Sequence, residues 1–475
     1  MKQPNIVFIF MDDMGWRDLG CSGSTFYETP NIDALCREGM RFDRAYAACP
    51  VCSPSRASLM TGRHPARVGL TDWIDHGGYY HPMRGKLIDA PYIKHLPEEG
   101  KPIAQAMREA GYATWHVGKW HLGLSDHYPE KYGFDVNIGG CSWGHPRDGY
   151  FSPYHIETLP EGPDGEFLTD RLTDEAIRLI ENADPEKPFY LNLCHYAVHT
   201  PIQAKAQDIA RFEAKAKKWG LDQVEAYAKG EKHPTIMHGD SHVTRRTLQS
   251  DPAYAALIWN LDENVGRLVD ALRKNGRWEN TLLIFTSDNG GLSTAEGSPT
   301  CNAPASEGKG WLYEGGTRVP MFAVWPGVIE PMTQTIEPAY TPDFYPTLLQ
   351  AAGQPLNPEQ HKDGVSLLPA FRGEKMEQRP LFWHYPHYGN QGGRPGSAVL
   401  LGDYKLIQHF EDDRVELYNV TEDVAETQDL SAQLPEKAAG LLQMLRCWQQ
   451  DAGAKFPTVN PEYPKDPKDP KDPQS

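Results

Sequence analysis

Two pairs of oxygen-bearing side chains stand just behind apolar runs. Asp12-Asp13 follows Ile6-Val7-Phe8-Ile9-Phe10, and Asp288-Asn289 follows Leu282–Phe285. Three carboxylates and one carboxamide oxygen, gathered at strand ends, would make a hard-oxygen site suited to Ca²⁺ or Mg²⁺. Taken singly, Asp-Asp also caps helices and Asp-Asn-Gly also makes turns. A second constellation is Cys52-Ser53-Pro54-Ser55-Arg56, closed by Thr61-Gly62-Arg63. Pro54 suits the first turn of a helix that Gly62 would end. Cys52 then sits at a helix N-terminus, where backbone N–H groups and the helix dipole favour an anion. Arg56, one turn further on, is expected to point back at the same atom. A thiolate would be activated there as well, so these residues alone leave a cysteine hydrolase open. Cys49-Pro-Val-Cys52 is formally a CxxC, which leaves a redox role open too.

Cations and imidazoles recur further along. Lys119 and His121 stand two apart in Gly-Lys-Trp-His-Leu-Gly, a spacing that would put them on one face of an extended segment. His199 lies in His-Thr-Pro and Lys309 in Lys-Gly-Trp-Leu-Tyr-Glu-Gly-Gly-Thr-Arg. Two lysines, an arginine and two histidines can neutralise a tetrahedral anion and move a proton to or from its leaving oxygen. Such a site would be a local exception, because 47 basic against 64 acidic residues leave a formal net charge of -17. That balance argues against a nucleic-acid partner, which needs a basic surface.

The elements that must hold these residues are those of an α/β domain. The strand 5–10 leads to a helix near 30–38 that Thr29 would cap, with Pro30 in its first turn. A helix near 102–110 ends at Gly111 and feeds a strand at 113–117. Leu257, Ile258, Leu261, Val265, Leu268, Val269 and Leu272 form a one-face helical stripe ending at Asn275-Gly276. The runs 189–193 and 282–285 read as buried strands. Ligands in such folds gather at the C-terminal ends of strands, where the candidate residues stand. Beyond about residue 375, strands at 381–383, 398–407 and 415–419 and a helix near 435–449 suggest a small antiparallel α+β unit. The expected division is a catalytic domain over 1–375, a C-terminal subdomain over 376–460 and a disordered Lys-Asp-Pro tail over 461–475.

From Pro4 to about Ile407 the chain resembles the type I sulfatases of the alkaline phosphatase superfamily. The most specific block is Cys52-Ser-Pro-Ser-Arg56 with Thr61-Gly62-Arg63, which fits the C-x-P-x-R…TGR pattern. Asp12-Asp13, Thr29-Pro-Asn-Ile-Asp33, Gly118-Lys-Trp-His-Leu-Gly123, Ser287-Asp-Asn-Gly-Gly291 and Lys309…Glu314-Gly-Gly-Thr-Arg-Val-Pro320 follow in the family's order. The resemblance implies an alkaline-phosphatase-like α/β sandwich with a large, mixed, mainly parallel sheet flanked by helices. It implies hydrolysis of sulfate monoesters, with one Ca²⁺ held by Asp12, Asp13, Asp288 and Asn289. Cys52 would be oxidised by a formylglycine-generating enzyme to formylglycine (3-oxoalanine), whose hydrate attacks sulfur and becomes transiently sulfated. Arg56 would hold that hydrate, while Lys119, His199 and Lys309 would grip the sulfate. His199 would also protonate the leaving alcohol, and His121 would be the base that releases sulfate. A formylglycine-using phosphate or phosphonate monoester hydrolase and an unconverted saccharide-binding protein are the competing readings.

A sulfated saccharide is the expected substrate, with a rim made by His145 and Arg147 and by His384, His387 and Arg394, segments rich in aromatics and hydrogen-bond donors. No run approaches the ~18 apolar residues of a membrane span. Five apolar residues without a cleavage pattern suit a strand better than a signal peptide. A cytoplasmic location is therefore expected, or a periplasmic or secreted one if a leader has been removed.

Overall fold

The computed structural model describes residues 3–463. Its centre is an eight-stranded sheet. Along the strand Asn5–Met11, Ile6, Phe8 and Phe10 enter one apolar layer and Val7, Ile9 and Met11 the other. This period of two, apolar on both faces, is what a strand buried between two helical layers requires. In spatial order the strands are Thr333–Thr335, Met40–Phe42, Met321–Val324, Thr281–Ser287, Asn5–Met11, Phe189–Cys194, Ala113–Gly118 and Val136–Ile138. The last five are parallel, with Met11 level with Ser287 and Gly118 level with Cys194. Met321–Val324 runs antiparallel to both its neighbours. The expected large, mixed, mainly parallel sheet is therefore what forms.

Helix Pro252–Lys274 packs its Leu257, Leu261, Val265, Leu268 and Leu272 stripe into one layer. Asp251 caps it, its carboxylate accepting from the Ala253 and Tyr254 N–H groups, an arrangement worth about 1 kcal/mol. Helices Cys52–Thr61, Ile103–Glu109 and Phe344–Ala351 cover the opposite face. Thr29 departs from its expected role. Its hydroxyl donates to Asp33 and accepts from the Gly20 N–H, so it does not cap helix Pro30–Arg37 through its side chain.

Strands Leu381–Tyr385, Gly396–Leu401, Tyr404–His409 and Val415–Asn419 form a separate antiparallel sheet. Helix Pro435–Asp451 covers one face, with Leu441 and Leu445 against Val399, Leu406 and Leu417. The other face presents Trp383, Ala398 and Ile407 to Ala48, Cys49 and Val51. The Trp383 indole N–H donates to the Ala47 carbonyl at 2.7 Å. This small sheet thus buttresses the segment that leads into Cys52. An exposed hairpin, Tyr227–Lys232 with His242–Arg246, has no counterpart in the sequence reading, because its strands carry almost no apolar alternation. Among the described residues no helix is long and apolar enough to cross a membrane. Of the expected tail, residues 464–475 lie outside the described residues.

Candidate active site

Four neighbouring parallel strands end at one edge of the sheet, and each delivers a candidate group there. Asn5–Met11 delivers Asp12 and Asp13, and Thr281–Ser287 delivers Asp288 and Asn289. Ala113–Gly118 delivers Lys119, and Phe189–Cys194 leads to His199. Gly118 turns the chain at once, with φ +98°. A Cβ there would lie 2.0 Å from the Cys194 carbonyl oxygen, so the turn requires glycine. Helix Cys52–Thr61 brings Cys52 from below, its N-cap Val51 offering no side-chain acceptor to the first turn. Lys309 arrives on a loop tied to the same place, since the Gly310 N–H donates to the Pro50 carbonyl at 2.8 Å.

Each buried carboxylate is matched to one cation. Lys119 Nζ meets Asp12 at 2.7 Å, Lys309 Nζ meets Asp13 at 2.8 Å, and Arg56 Nη2 meets Asp288 at 2.7 Å. Three against three gives no net charge, which is what makes so many buried ions tolerable. Arg56 therefore does not point back at Cys52 as expected. Its guanidinium donates to Asp288 through two nitrogens and to the Lys119 carbonyl through the third. Burial drives the Asp12 carboxyl well above the usual carboxylate range; Lys119 opposes this, and Asp288 and Asp13 add to it. Burial acts in the same sense on Asp13, but Lys309 and His199 outweigh it and hold that group below the range. Two oxygens remain without a hydrogen-bond partner, Asp12 Oδ1 and Asn289 Oδ1. Orphaned buried oxygens beside a carboxylate pair are the donor set of a hard divalent cation, so the residues fit one.

The two imidazoles are held in different tautomers. His121 Nε2 faces the Ile74 carbonyl at 3.0 Å and so carries the hydrogen. Its Nδ1 lone pair then faces Cys52 Sγ at 3.3 Å and Ser53 Oγ at 3.2 Å. Burial, then Lys119, pushes His121 well below the ordinary histidine range, which keeps it neutral. His199 Nδ1 faces the Thr200 carbonyl at 2.8 Å, leaving Nε2 to accept from Lys309 at 3.0 Å. Lys119 and His121 do not share an extended face. His121 has φ +57° in the left-handed region, and Asp13 has φ +62°. Non-glycine residues there cost about 1–3 kcal/mol and persist only when their surroundings fix them. Burial raises the Cys52 thiol above its usual range against the pull of Lys119 and Lys309, and it raises Cys49 well above. Both are free thiols. Burial thus opposes thiolate formation at both cysteines.

The expected rim is only partly assembled. The exposed His145 ring stacks on His199 with centroids 6.0 Å apart, and Arg147 packs over Trp143 at 5.6 Å. His384 is not at the site: it is buried in the small sheet between Ser397 Oγ (2.6 Å) and the Lys455 carbonyl (2.8 Å). His387 is fully buried, with Nε2 on Thr71 Oγ1 at 2.8 Å. Arg394 ion-pairs with Glu411 and Glu231. A segment rich in donors looks the same in sequence whether they face a ligand or one another. The sequence reading missed the Ile74 carbonyl and the Ser53 hydroxyl that flank His121, and Glu296, which accepts from Thr200 Oγ1 at 3.1 Å beside His199. Glu296 also lines a cleft of about 470 Å³ with Tyr227, His233, His238, Thr294 and Asn390. Only Ser53, inside the Cys52 motif, carried a signal.

The sequence profile of a family described as "Sulfatase" matches residues 4–354, and that of "N-sulphoglucosamine sulphohydrolase, C-terminal" matches 307–446. A protein named "Sulfatase" from Formosa agariphila is 30% identical over 94% of this chain and 89% of its own length. The N-acetylgalactosamine-6-sulfatase of Mus musculus is 31% identical over 85% of this chain and 72% of its own. The crystal structure of Ps i-CgsB in complex with k-i-k-neocarrahexaose superposes with a TM-score of 0.75 at 30% identity, covering 95% of this chain and 94% of that one.

Proposed function

Because the chain belongs to the sulfatase family and is a sulfuric ester hydrolase with the fold of that family, we propose that it removes sulfate from a sulfated saccharide, with residue 52 as the nucleophile. The observation that carries this reading is His121 Nδ1 at 3.3 Å from Cys52 Sγ among three buried cations, with Nε2 turned to the Ile74 carbonyl.

In the proposed scheme Asp12, Asp13, Asp288 and Asn289 hold one Ca²⁺, which would stabilise negative charge on the ester's oxygens. A formylglycine-generating enzyme, with an external oxidant, would first convert Cys52 to an aldehyde, and water would add to give a geminal diol. One hydroxyl would attack sulfur and the other, once deprotonated, would expel sulfate by C–O cleavage and restore the aldehyde. With the carboxylates committed to the ion, Lys119, Lys309 and Arg56 would be free to turn their charge to the substrate's oxygens. Lys119 and Lys309 grip the sulfate, and Arg56 acts on residue 52 through its link to Asp288. His199 delivers a proton to the leaving alcohol. Nε2, which faces Lys309 at 3.0 Å, is the atom that would carry that proton, taken from solvent while Lys309 stays charged on the sulfate. His121 Nδ1 then takes a proton from residue 52 as sulfate departs.

The saccharide assignment is supported by a relative named for a galactosamine 6-sulfate and a neighbour solved with an oligosaccharide. It is also supported by the cleft at Glu296, whose imidazole, amide, hydroxyl and carboxylate groups suit sugar hydroxyls. We place the saccharide there, with His145 over the sulfate site, in place of His384, His387 and Arg394. The division near residue 375 belongs to the same reading, with the C-terminal unit as support for the Cys52 segment. The test is a side-by-side comparison of kcat/KM on 6-sulfated N-acetylgalactosamine oligosaccharides, an aryl sulfate and the matching aryl phosphate. The saccharide sulfate is expected to exceed the aryl sulfate, and both to exceed the phosphate. A preference for phosphate would overturn the substrate class.

A further inference from the structure

A second buried group of titratable side chains plays no part in the scheme above. Asp72, His81, Asp89 and His387 meet where the segment behind Cys52 joins the end of strand Leu381–Tyr385. Ligand atoms of Asp72, Asp89 and His387 all lie within 4.8 Å of one another. Asp72 Oδ1 is fully engaged, accepting from the Trp73 N–H at 2.8 Å and the Tyr385 hydroxyl at 3.0 Å. Its Oδ2 is buried with no hydrogen-bond partner, 3.4 Å from His81 Nδ1 and 3.7 Å from His387 Nδ1. Thr71 occupies His387 Nε2, so the unpartnered Nδ1 is the nitrogen turned inward. Asp89 Oδ2 lies 3.4 Å from the same His81 nitrogen. The side chains of Asp72 and His387 are 0% exposed.

Two carboxylates buried together need a positive charge between them. A proton, on His81 or on one of the carboxyls, is one choice and a metal ion the other; the distances bear on the His81 case. An imidazolium N–H closes on a carboxylate to about 2.7–2.9 Å, whereas these pairs stand at 3.4 Å. Ligands about 2.0–2.1 Å from a tetrahedral ion lie roughly 3.3–3.4 Å from one another. The 3.7 Å from Asp72 Oδ2 to His387 Nδ1, with an Asp89 oxygen within 4.8 Å of both, leaves the spacing of neighbours around an ion. Two carboxylate oxygens and an imidazole nitrogen also suit zinc and its first-row neighbours better than calcium, which takes an all-oxygen shell.

We propose that Asp72, Asp89 and His387, with His81 beside the two carboxylates, form a buried structural site for a first-row divalent cation of the zinc class, separate from the catalytic metal. Its place in the fold gives it a purpose. Asp72 and Ile74 are in one segment, and the Ile74 carbonyl fixes the hydrogen of His121. His387 and Tyr385 belong to the C-terminal unit. An ion there clips that unit to the segment that orients His121, and the clip stands whether or not the sulfatase chemistry does.

The test loads metal-stripped, full-length protein with excess zinc in the continuous presence of calcium, desalts it and measures both metals by mass spectrometry. The wild type is expected to keep about one zinc per chain and to melt higher with it, and His387→Ala to keep below about a tenth of that and to lose the zinc-dependent rise in melting temperature. The stacked, partly exposed pair His233 and His238 is the alternative zinc binder, and a His233→Ala/His238→Ala variant should retain its zinc. Equal retention by His387→Ala, or loss only in the His233/His238 variant, overturns the proposal. If His387→Ala does not fold, anomalous diffraction at the zinc edge from zinc-soaked wild-type crystals decides. A peak within bonding distance of His387 Nδ1 supports the site, and its absence returns the cluster to a proton on His81 or on one of the carboxyls.

Discussion

His121 can serve as a base at residue 52 because its two ring nitrogens are committed to different partners, Nε2 to a backbone carbonyl and Nδ1 to residue 52 itself. Removing the ring while leaving the cations in place isolates that role. We expect His121→Ala to lower kcat about 100-fold, the scale of a single well-placed catalytic group, with partial recovery in added imidazole. Near-normal turnover would remove His121 from the scheme. Lys309→Ala is expected to cost a similar factor, since the lysine both meets the sulfate and positions His199 through its contact with Nε2. Turnover within a few-fold of wild type would leave the sulfate to Lys119 and Arg56 alone. Lys119→Ala is a poorer probe, because it strands Asp12 in a fully buried position.

At the scale of elements, precision at the site comes from loops that the sheet holds in register. The segment that follows strand Val136–Ile138 passes over His121 at Gly144. A Cβ on Gly144 would stand 2.4 Å from His121 Cε1 and 2.7 Å from Nδ1, inside any contact that real carbons make. Gly144→Ala should therefore displace the ring and reduce kcat as strongly as His121→Ala does, with little change in melting temperature. Normal turnover in that variant would mean that the ring's position is not what matters. The strands that carry the site were legible because runs such as Ile6–Phe10 and Leu282–Phe285 are apolar on both faces. The residues at their ends were legible as motifs. What the sequence hid were features without a pattern of their own. His121 was read as extended and is left-handed. Arg56 was aimed at Cys52 and turned to Asp288. His384 and His387 were set on a rim and are buried, because strand Leu381–Tyr385 and the chain just after it are buttressed by other parts of the chain rather than open to solvent. The hairpin of 227–246, which borders the cleft at Glu296, has too little apolar alternation to announce itself.

For the molecule as a whole, a neutral site of three anions and three cations is set in a chain of formal net charge -17. A bound divalent ion makes the site locally positive, while the far field still repels an anionic substrate. The Debye length is about 30 Å at 0.01 M salt and about 10 Å at 0.1 M, so salt removes the far field first. Raising ionic strength across that range is expected to increase kcat/KM for a sulfated oligosaccharide and leave kcat unchanged. A fall in kcat/KM would mean that the local cations steer the substrate instead. The most direct test of the account is the chemical state of residue 52. Protein co-expressed with a formylglycine-generating enzyme is digested with trypsin and the peptide Ala45–Arg56 is weighed. We expect the thiol-to-aldehyde mass loss at Cys52, and capture of that peptide by a hydrazine. A peptide that keeps two alkylatable thiols, at Cys49 and Cys52, from protein that nonetheless hydrolyses sulfate esters, would contradict the nucleophile on which the scheme rests.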